Sequence, residues 1–154
     1  MAGPGNKGML RGIGAALGEL FHGGKLEPNQ EVSVEVLFGL LGYLAGADSI
    51  VTSHEAEFAN NLMEELDLPA RGRDMAQNAF LAGRQRKIDI DSELKRYLAV
   101  FPAGSPEAGK LYDALVELAF ADGRIRPNER IFLEKITLGL GYNMAALKQR
   151  LGEI

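Results

Sequence analysis

The sequence contains no cysteine among its 154 residues, which excludes disulfides, thiol catalysis, zinc ribbons and iron–sulfur clusters. Basic residues are not in excess either, since 17 Lys and Arg stand against 21 Asp and Glu for a net charge of −4. A general nucleic-acid binder needs surplus positive charge to displace counterions from phosphate, so we expect no nucleic-acid partner. Long apolar runs are also missing. Arg11 and Glu19 interrupt the stretch 9–21, which is shorter than the roughly 20 residues that cross a bilayer, so we predict no membrane-spanning segment.

What the sequence does contain is enough apolar material for one packed domain. Hydrophobic residues make up 46% and charged residues 25%, the ordinary balance of a globular protein. The beginning of the chain differs from the rest, because six of the first eighteen residues are glycine, which weakens helices. We predict that 1–30 is a flexible Gly-rich lead and that 31–154 forms a single domain.

Apolar residues recur at helical spacing almost throughout the chain, as in Val34, Leu37, Phe38 and Leu41. No convincing strand-like alternation bounded by turn residues is present. Proline and glycine breakers divide the chain into about seven predicted helices, near 31–46, 53–66, 72–83, 90–101, 106–121, 127–139 and 143–152. The short connections favour antiparallel neighbours, so the predicted class is an all-α domain.

An internal repeat organises these helices. A shift of 74 residues aligns 37–68 with 111–142 without a gap, and nine of the 32 aligned pairs are identical. Each copy is a helical hairpin that cannot bury its apolar face alone, so two copies covering each other form the predicted core. Leu41 and Leu115 should then occupy equivalent buried positions.

The second helix of each copy is predicted to bury a similar stripe. Phe58 in copy one is equivalent to Phe132 in copy two. Ile131 and Ile136 are predicted to share the apolar face of Phe132, with the aliphatic stem of Lys135 beside them.

Charge is unevenly distributed along the chain. The segment 31–68 holds eight acidic residues and no Lys or Arg, whereas 69–100 has a net charge of +3. The basic residues that flank the middle helix are Arg71, Arg73, Arg84, Arg86 and Lys87. The simpler interpretation is a solvated acidic face packed near a basic one. Alternatively, the acidic residues attract a cation or a basic partner. The arginines would in the same way attract anionic headgroups or an acidic partner.

The corner of each hairpin carries the same pair of acids, Asp48 with Glu55 in copy one and Asp122 with Glu129 in copy two. One interpretation is helix capping, because a Glu in the first turn reaches back to the N-cap amide, and its negative charge interacts favourably with the helix dipole. The other is a divalent-cation site for Ca²⁺ or Mg²⁺, because each pair offers hard oxygen ligands across one short loop. The spacing is not that of an EF-hand.

An enzyme is not indicated by any motif. His22 lies in the Gly-rich lead and His54 at a helix start, and neither has a context suggesting a nucleophile and base. Phosphate-binding loops, nucleophile elbows and zinc-protease motifs are absent from the sequence. We therefore predict a protein without catalytic residues.

Four segments carry a resemblance to a known family. They are Leu-Phe-Gly-Leu-Leu-Gly-Tyr-Leu-Ala (37–45), Ala-Gln-Asn-Ala-Phe (76–80), Ala-Phe-Ala-Asp-Gly (119–123) and Pro-Asn-Glu-Arg (127–130). Together they resemble the TerB-like fold, named for a tellurite-resistance protein, and within it the central region of the DjlA family of DnaJ-like co-chaperones. The resemblance covers about 34–150. It implies an all-α TerB-like domain of about seven helices built on two repeated hairpins.

The resemblance also implies a function. It suggests a non-catalytic protein-interaction or regulatory domain; the alternative is a divalent-cation-binding tellurite-resistance or stress-response protein of TerB type. DjlA-type proteins begin with a membrane anchor and end with a J domain, whose His-Pro-Asp motif stimulates a DnaK-type chaperone. This sequence has no His-Pro-Asp, so that stimulation is not assigned to it, and it is either an excised domain or a stand-alone relative.

Partners and location follow from the same resemblance. The expected partners are proteins, including a chaperone system reached through a J domain that this chain does not carry. The expected location is the cytoplasm, or the periphery of the inner membrane if the chain belongs to a longer anchored protein. No cofactor is required, and only Ca²⁺ or Mg²⁺ at the corners is a candidate. Copy one has Asp48-Ser49 where the family-like form has Asp-Gly, which favours the second corner as a cation site.

Overall fold

A computed structural model describes residues 28–46, 53–119 and 126–152 of the protein. These ranges contain seven helices and no strand, so the all-α prediction is confirmed. The helices are α1 (Pro28–Ala45), α2 (Ser53–Glu65), α3 (Ala70–Arg84), α4 (Ile90–Val100), α5 (Pro106–Ala119), α6 (Pro127–Gly139) and α7 (Met144–Arg150).

Local sequence signals set where these helices begin. Proline is the first residue of α1, α5 and α6, a position where its missing N–H costs no helical hydrogen bond. Asp89 caps α4 by accepting from the Ser92 amide at 2.9 Å, and Asn143 caps α7 through the Ala146 amide at 3.0 Å. Because α1 begins at Pro28, it starts three residues before the predicted domain boundary. The remainder of the predicted lead, 1–27, lies outside the described residues.

Helix α1 lies at the centre of the domain and packs against α3, α4 and α5. It is buried around most of its circumference, with seven large apolar side chains in the core. These are Val34, Val36, Leu37, Phe38, Leu40, Leu41 and Leu44. A helix that is apolar on all sides needs neighbours on all sides, and the surrounding helices supply them.

Glycines let α1 and α3 approach until their backbones touch. A Cβ added at Gly83 would overlap the carbonyl oxygen of Gly39 and lie 2.9 Å from the Tyr43 nitrogen. A Cβ added at Gly42 would overlap the carbonyl oxygen of Phe80 in the same way. Only residues without a side chain permit this contact.

Apolar residues that the repeat aligns are buried together in most pairs of which both members are described, although Leu118, the equivalent of Leu44, is only half-buried. Leu41 and Leu115 are both fully buried. The further pairs Leu62 with Ile136 and Leu66 with Leu140 are buried too. Phe132 lies in the core, whereas the side chain of Phe58 falls outside the described residues. The two hairpins therefore contribute equivalent faces to one core.

Part of the acidic segment packs against the basic one, as the charge distribution predicted. Glu31 on α1 forms a salt bridge with Arg71 on α3, with 2.6 Å between nitrogen and oxygen. Glu35, one turn further along α1, is paired with Arg96 on α4. These pairs connect the central helix to two of its neighbours at the surface.

Candidate functional site

The second corner ends in a helix cap formed by one of the four predicted site residues. The Oε1 atom of Glu129 accepts a hydrogen bond from the backbone N–H of Arg126 at 2.9 Å. Pro127 is the first helical residue, so the Glu129 carboxylate is placed in the first turn of α6, where the helix dipole favours negative charge. This is the geometry that the capping interpretation predicted.

The other three predicted site residues are not placed in the structure. Asp48 and Asp122 lie outside the described residues. Glu55 falls in the first turn of α2, but its side chain is likewise not described. Among the described side chains, no three His, Asp or Glu residues gather into a group that could hold a metal ion. A cation site at the corners therefore stays a prediction.

An aromatic contact brings the flanks of the two corners together. The ring of Tyr43, near the end of α1, stacks on the ring of Phe132 in α6 with 5.8 Å between centroids. Tyr43 lies five residues before Asp48, and Phe132 lies three residues after Glu129. The segment that leads into the first corner is thus adjacent to the segment that leaves the second.

Arg86 secures this junction in a role that the sequence did not indicate. Its guanidinium donates a hydrogen bond to the Tyr43 carbonyl oxygen at 2.8 Å and lies over the Tyr43 ring, 3.8 Å from the centroid. A cation at that position donates to one of the last carbonyls of α1, and its positive charge interacts favourably with the helix dipole. The backbone of Arg86 has a φ of 60°, which lies in the left-handed region. Residues other than glycine seldom adopt this conformation, and nothing in the sequence predicts it for Arg86.

The outward sides of α2 and α6 are equivalent in the repeat but differ in chemistry. We call Glu57, Asn61 and Glu64 the outer face of α2; all three are exposed. The 74-residue shift maps them onto the three exposed residues that form the outer face of α6, namely Ile131, Lys135 and Leu138. Spacings of three and four residues place each set along one side of its helix.

The exposure of Ile131 corrects the stripe predicted from the sequence. Its side chain is 64% exposed, although its neighbours Phe132 and Leu133 are buried. The reason is geometric: Ile131 precedes Phe132 by one residue, which rotates its side chain by about 100° away from the core. The repeat contained the signal, since Ile131 aligns with the polar Glu57.

The outer face of α6 lies beside the start of α4. The pKa of the Asp89 carboxyl is held below its ordinary value, first by hydrogen bonds from the side chain and backbone of Ser92. Smaller contributions come from the positive charges of Lys135 and Lys95, both near this carboxylate. Lys135 forms no salt bridge with any residue that the structure describes.

No helix within the described ranges is long and apolar enough to span a membrane.

Comparison with known proteins finds co-chaperone DjlA proteins as relatives. The match to DjlA of Vibrio parahaemolyticus is 32% identical over 143 residues, covering 92% of this chain and 50% of that protein. DjlA of Vibrio vulnificus strain CMCP6 is 32% identical over 123 residues, covering 79% and 42% respectively. DjlA of Escherichia coli K12 is 29% identical over 112 residues, covering 73% and 41%.

The chain thus spans half or less of the length of these relatives. No solved structure matches it significantly. The family model described as tellurite resistance protein TerB matches residues 35–150. This range extends from the central helix α1 to the end of α7 and so includes both copies of the repeat. Because the match extends over most of the sequence and the fold is all-helical, the chain belongs to the TerB family.

Proposed function

We propose that this chain is a non-catalytic protein-interaction domain that regulates or recruits components of a chaperone system. Relatives over most of its length are co-chaperones by name. On this proposal the chain contributes binding, and stimulation of a DnaK-type chaperone, for which a J domain uses a His-Pro-Asp motif, is not assigned to it. Its site of action on this proposal is the cytoplasm or the cytoplasmic side of the inner membrane.

The observation that carries the proposal is the contrast between the two outer faces. Equivalent positions of a repeat serve the same role in the fold, yet the outer face of α2 is polar and acidic and that of α6 is apolar and basic. The fold itself therefore does not determine these residues. Exposed positions that differ in this way are available for recognition, and two chemically distinct faces suit a domain that binds other proteins.

Site-specific photo-crosslinking in bacterial cells tests this function. A photoreactive amino acid is placed singly at Glu57 on α2, at Leu138 on α6 and, as a control, at the exposed Lys148 on α7. We expect an adduct with a component of a DnaK-type chaperone system from at least one of the two outer faces, and none from Lys148. Absence of adducts at both faces would show that the interaction role is wrong. Adducts only with proteins outside the chaperone system would refute the chaperone connection.

A second candidate function is binding of a divalent cation between the hairpin corners. The stacking of Tyr43 on Phe132 supports it, because the flanks of the two corners lie side by side and a shared site could draw on acids from both. Two carboxylates from a single loop would leave a water-rich and weak site. Hydrogen bonding of Glu129 to the Arg126 amide favours capping as the simpler role of that carboxylate.

Thermal unfolding with and without millimolar Ca²⁺ or Mg²⁺ separates these two roles. If Glu129 only caps α6, Glu129→Gln should be mild and the melting temperature should not respond to the ion. If it binds a cation, a hundredfold excess over Kd adds about 2.7 kcal/mol to the stability, a rise of several degrees that Glu129→Gln should abolish. Glu134→Gln on the same helix is the matched control and should keep the rise. A rise that survives Glu129→Gln would rule out this residue as a ligand.

A further inference from the structure

We propose that the outer face of α6 docks an amphipathic helix of a partner protein, one with an apolar stripe and acidic residues beside it. This inference rests on the proposed interaction function and specifies its surface and the chemistry of the partner. It depends on three observations: the exposure of two large aliphatic side chains, the polar residues at the equivalent positions of copy one, and an exposed lysine without a salt bridge between the aliphatic residues.

The first observation is the exposure of Ile131 and Leu138. Their side chains are 64% and 62% exposed, the two highest values among the large exposed apolar residues that the structure describes. They lie seven residues apart, two helical turns along one side of α6, or about 10 Å. Aliphatic side chains repeated at this interval form a ridge that a second helix can pack against with its own residues at matching spacing.

The second observation is an internal control that the repeat provides. Copy one has Glu57 and Glu64 at the positions equivalent to Ile131 and Leu138, and both glutamates are exposed. A hairpin of this fold therefore accepts charged residues at these positions. Since stability of the hairpin does not require aliphatic residues there, the packing of the described residues does not explain their presence on α6.

The third observation is the state of the charges on this face. Lys135 lies between the two aliphatic residues and has no salt bridge with the described part of the protein. The nearby Asp89 carboxylate is already bonded to Ser92, at 2.8 Å from the hydroxyl. On the other side of the ridge, Glu134 is paired with Arg130 at 3.5 Å. Lys135 attracts the Asp89 carboxylate electrostatically but forms no salt bridge with it, so its exposed ammonium group remains available to a carboxylate of a partner.

The same charge argues against a second copy of this chain as the occupant. If two α6 helices paired antiparallel about a two-fold axis, Ile131 of each would face Leu138 of the other. Residues on one flank of each helix would then lie together, which brings the two Lys135 ammonium groups close to each other. A partner helix with acidic residues on that flank avoids this repulsion.

The test uses a displayed library of helical peptides, selected for binding to the whole purified chain. We expect enrichment of peptides that carry two large apolar residues seven positions apart with Glu or Asp beside them. The double variant Ile131→Glu with Leu138→Glu gives α6 the residues that copy one has, so it should fold. It should bind the selected peptides at least about tenfold more weakly, since both apolar anchors are lost.

A second variant tests the role of charge separately and keeps the test valid if the double variant fails to fold. Lys135→Glu should weaken binding of the acidic peptides about tenfold and shift the selection towards basic peptides. The matched control is Lys148→Glu, the same charge change at an exposed lysine on α7 outside both outer faces, which should leave peptide binding unchanged. Folding of every variant is checked by thermal unfolding.

Several results would overturn the proposal. The docking surface would be wrong if no peptides were selected, or if the selected peptides bound the double variant as well as the wild type. The acidic partner would be wrong if the enriched peptides lacked acidic residues. A second copy of the chain would be the occupant if the free chain associated with itself and Leu138→Glu abolished that association. Failure of the proposed function is distinguishable. If photo-crosslinks form from Glu57 alone, the chain is an interaction domain that uses α2, and only the assignment to α6 is wrong.

Discussion

Replacing Gly83 by alanine should destabilise the domain by about 3 kcal/mol or more, near the upper end of what overpacking costs. The added methyl group would occupy the space of the Gly39 carbonyl oxygen and would crowd the Tyr43 nitrogen. These are backbone atoms of the central helix, so neither can rotate away as a side chain would. Relief requires α1 and α3 to separate, which loosens the core along both helices. Chemical denaturation of the wild type and Gly83→Ala measures the difference.

Gly109→Ala is the matched control for this substitution. Gly109 also lies within a helix, α5, and a Cβ there would meet only the Tyr142 hydroxyl at an ordinary 3.6 Å. Alanine should therefore stabilise the protein by about 0.4–1 kcal/mol, because it reduces the conformational freedom of the unfolded chain. If Gly83→Ala were as stable as Gly109→Ala, the close approach of α1 and α3 would be wrong.

Leu115→Ala should cost about 2–5 kcal/mol, the range for a leucine removed from a closely packed core. Leu115 on α5 is fully buried, and its repeat equivalent Leu41 on α1 is 1% exposed. The two substitutions should therefore be comparably severe, since each opens a cavity on the same face of its hairpin. Denaturant titration of each variant gives the two values.

The exposed Leu138 provides the comparison for these core leucines. Leu138→Ala should change the free energy of unfolding by no more than about 0.5 kcal/mol, as is usual for surface positions. A Leu115→Ala variant no less stable than Leu138→Ala would contradict a core shared by the two hairpins. A severe effect at Leu115 with none at Leu41 would contradict the equivalence of the copies.

The sequence predicted much of this fold because its periodicity and its repeat are physical constraints. A helix must repeat its apolar residues every three to four positions, and the seven observed helices match the predicted spans to within a few residues. The 74-residue repeat correctly predicted that Leu41 and Leu115 are buried. It also aligns Ile131 with the polar Glu57, a signal that Ile131 lies outside the core and one that its hydrophobicity alone does not give.

Contacts between distant backbones could not be predicted in this way. The fit of Gly83 against Gly39 depends on how α3 crosses α1, and a glycine in a sequence is equally typical of a turn. Arg86 was predicted as part of a solvated basic face and is exposed, but the bond of its guanidinium to the Tyr43 carbonyl was not predicted. A backbone with positive φ and a partner 43 residues away leave no trace in local sequence patterns.

The candidate site was predictable to a smaller extent. The cap formed by Glu129 was foreseen from Pro127 and the position of the carboxylate in the first turn. Whether corner acids also share an ion depends on loop geometry, which spacing alone does not determine. The outer face of α6 is distinguished by the exposure of Ile131 and Leu138 together with the polar residues at the equivalent positions of copy one, and hydrophobic periodicity alone does not indicate it.

The central position of α1 has a consequence for how the domain opens in solution. Because the buried part of α1 is covered by α3, α4 and α5, the backbone amides there should reach solvent only when those neighbours detach together. Its hydrogens should therefore exchange through global unfolding, whereas the peripheral helices can fray in separate, smaller openings. We therefore expect the outer surfaces of α2 and α6 to rearrange locally on contact with a partner while the central helix α1 stays folded.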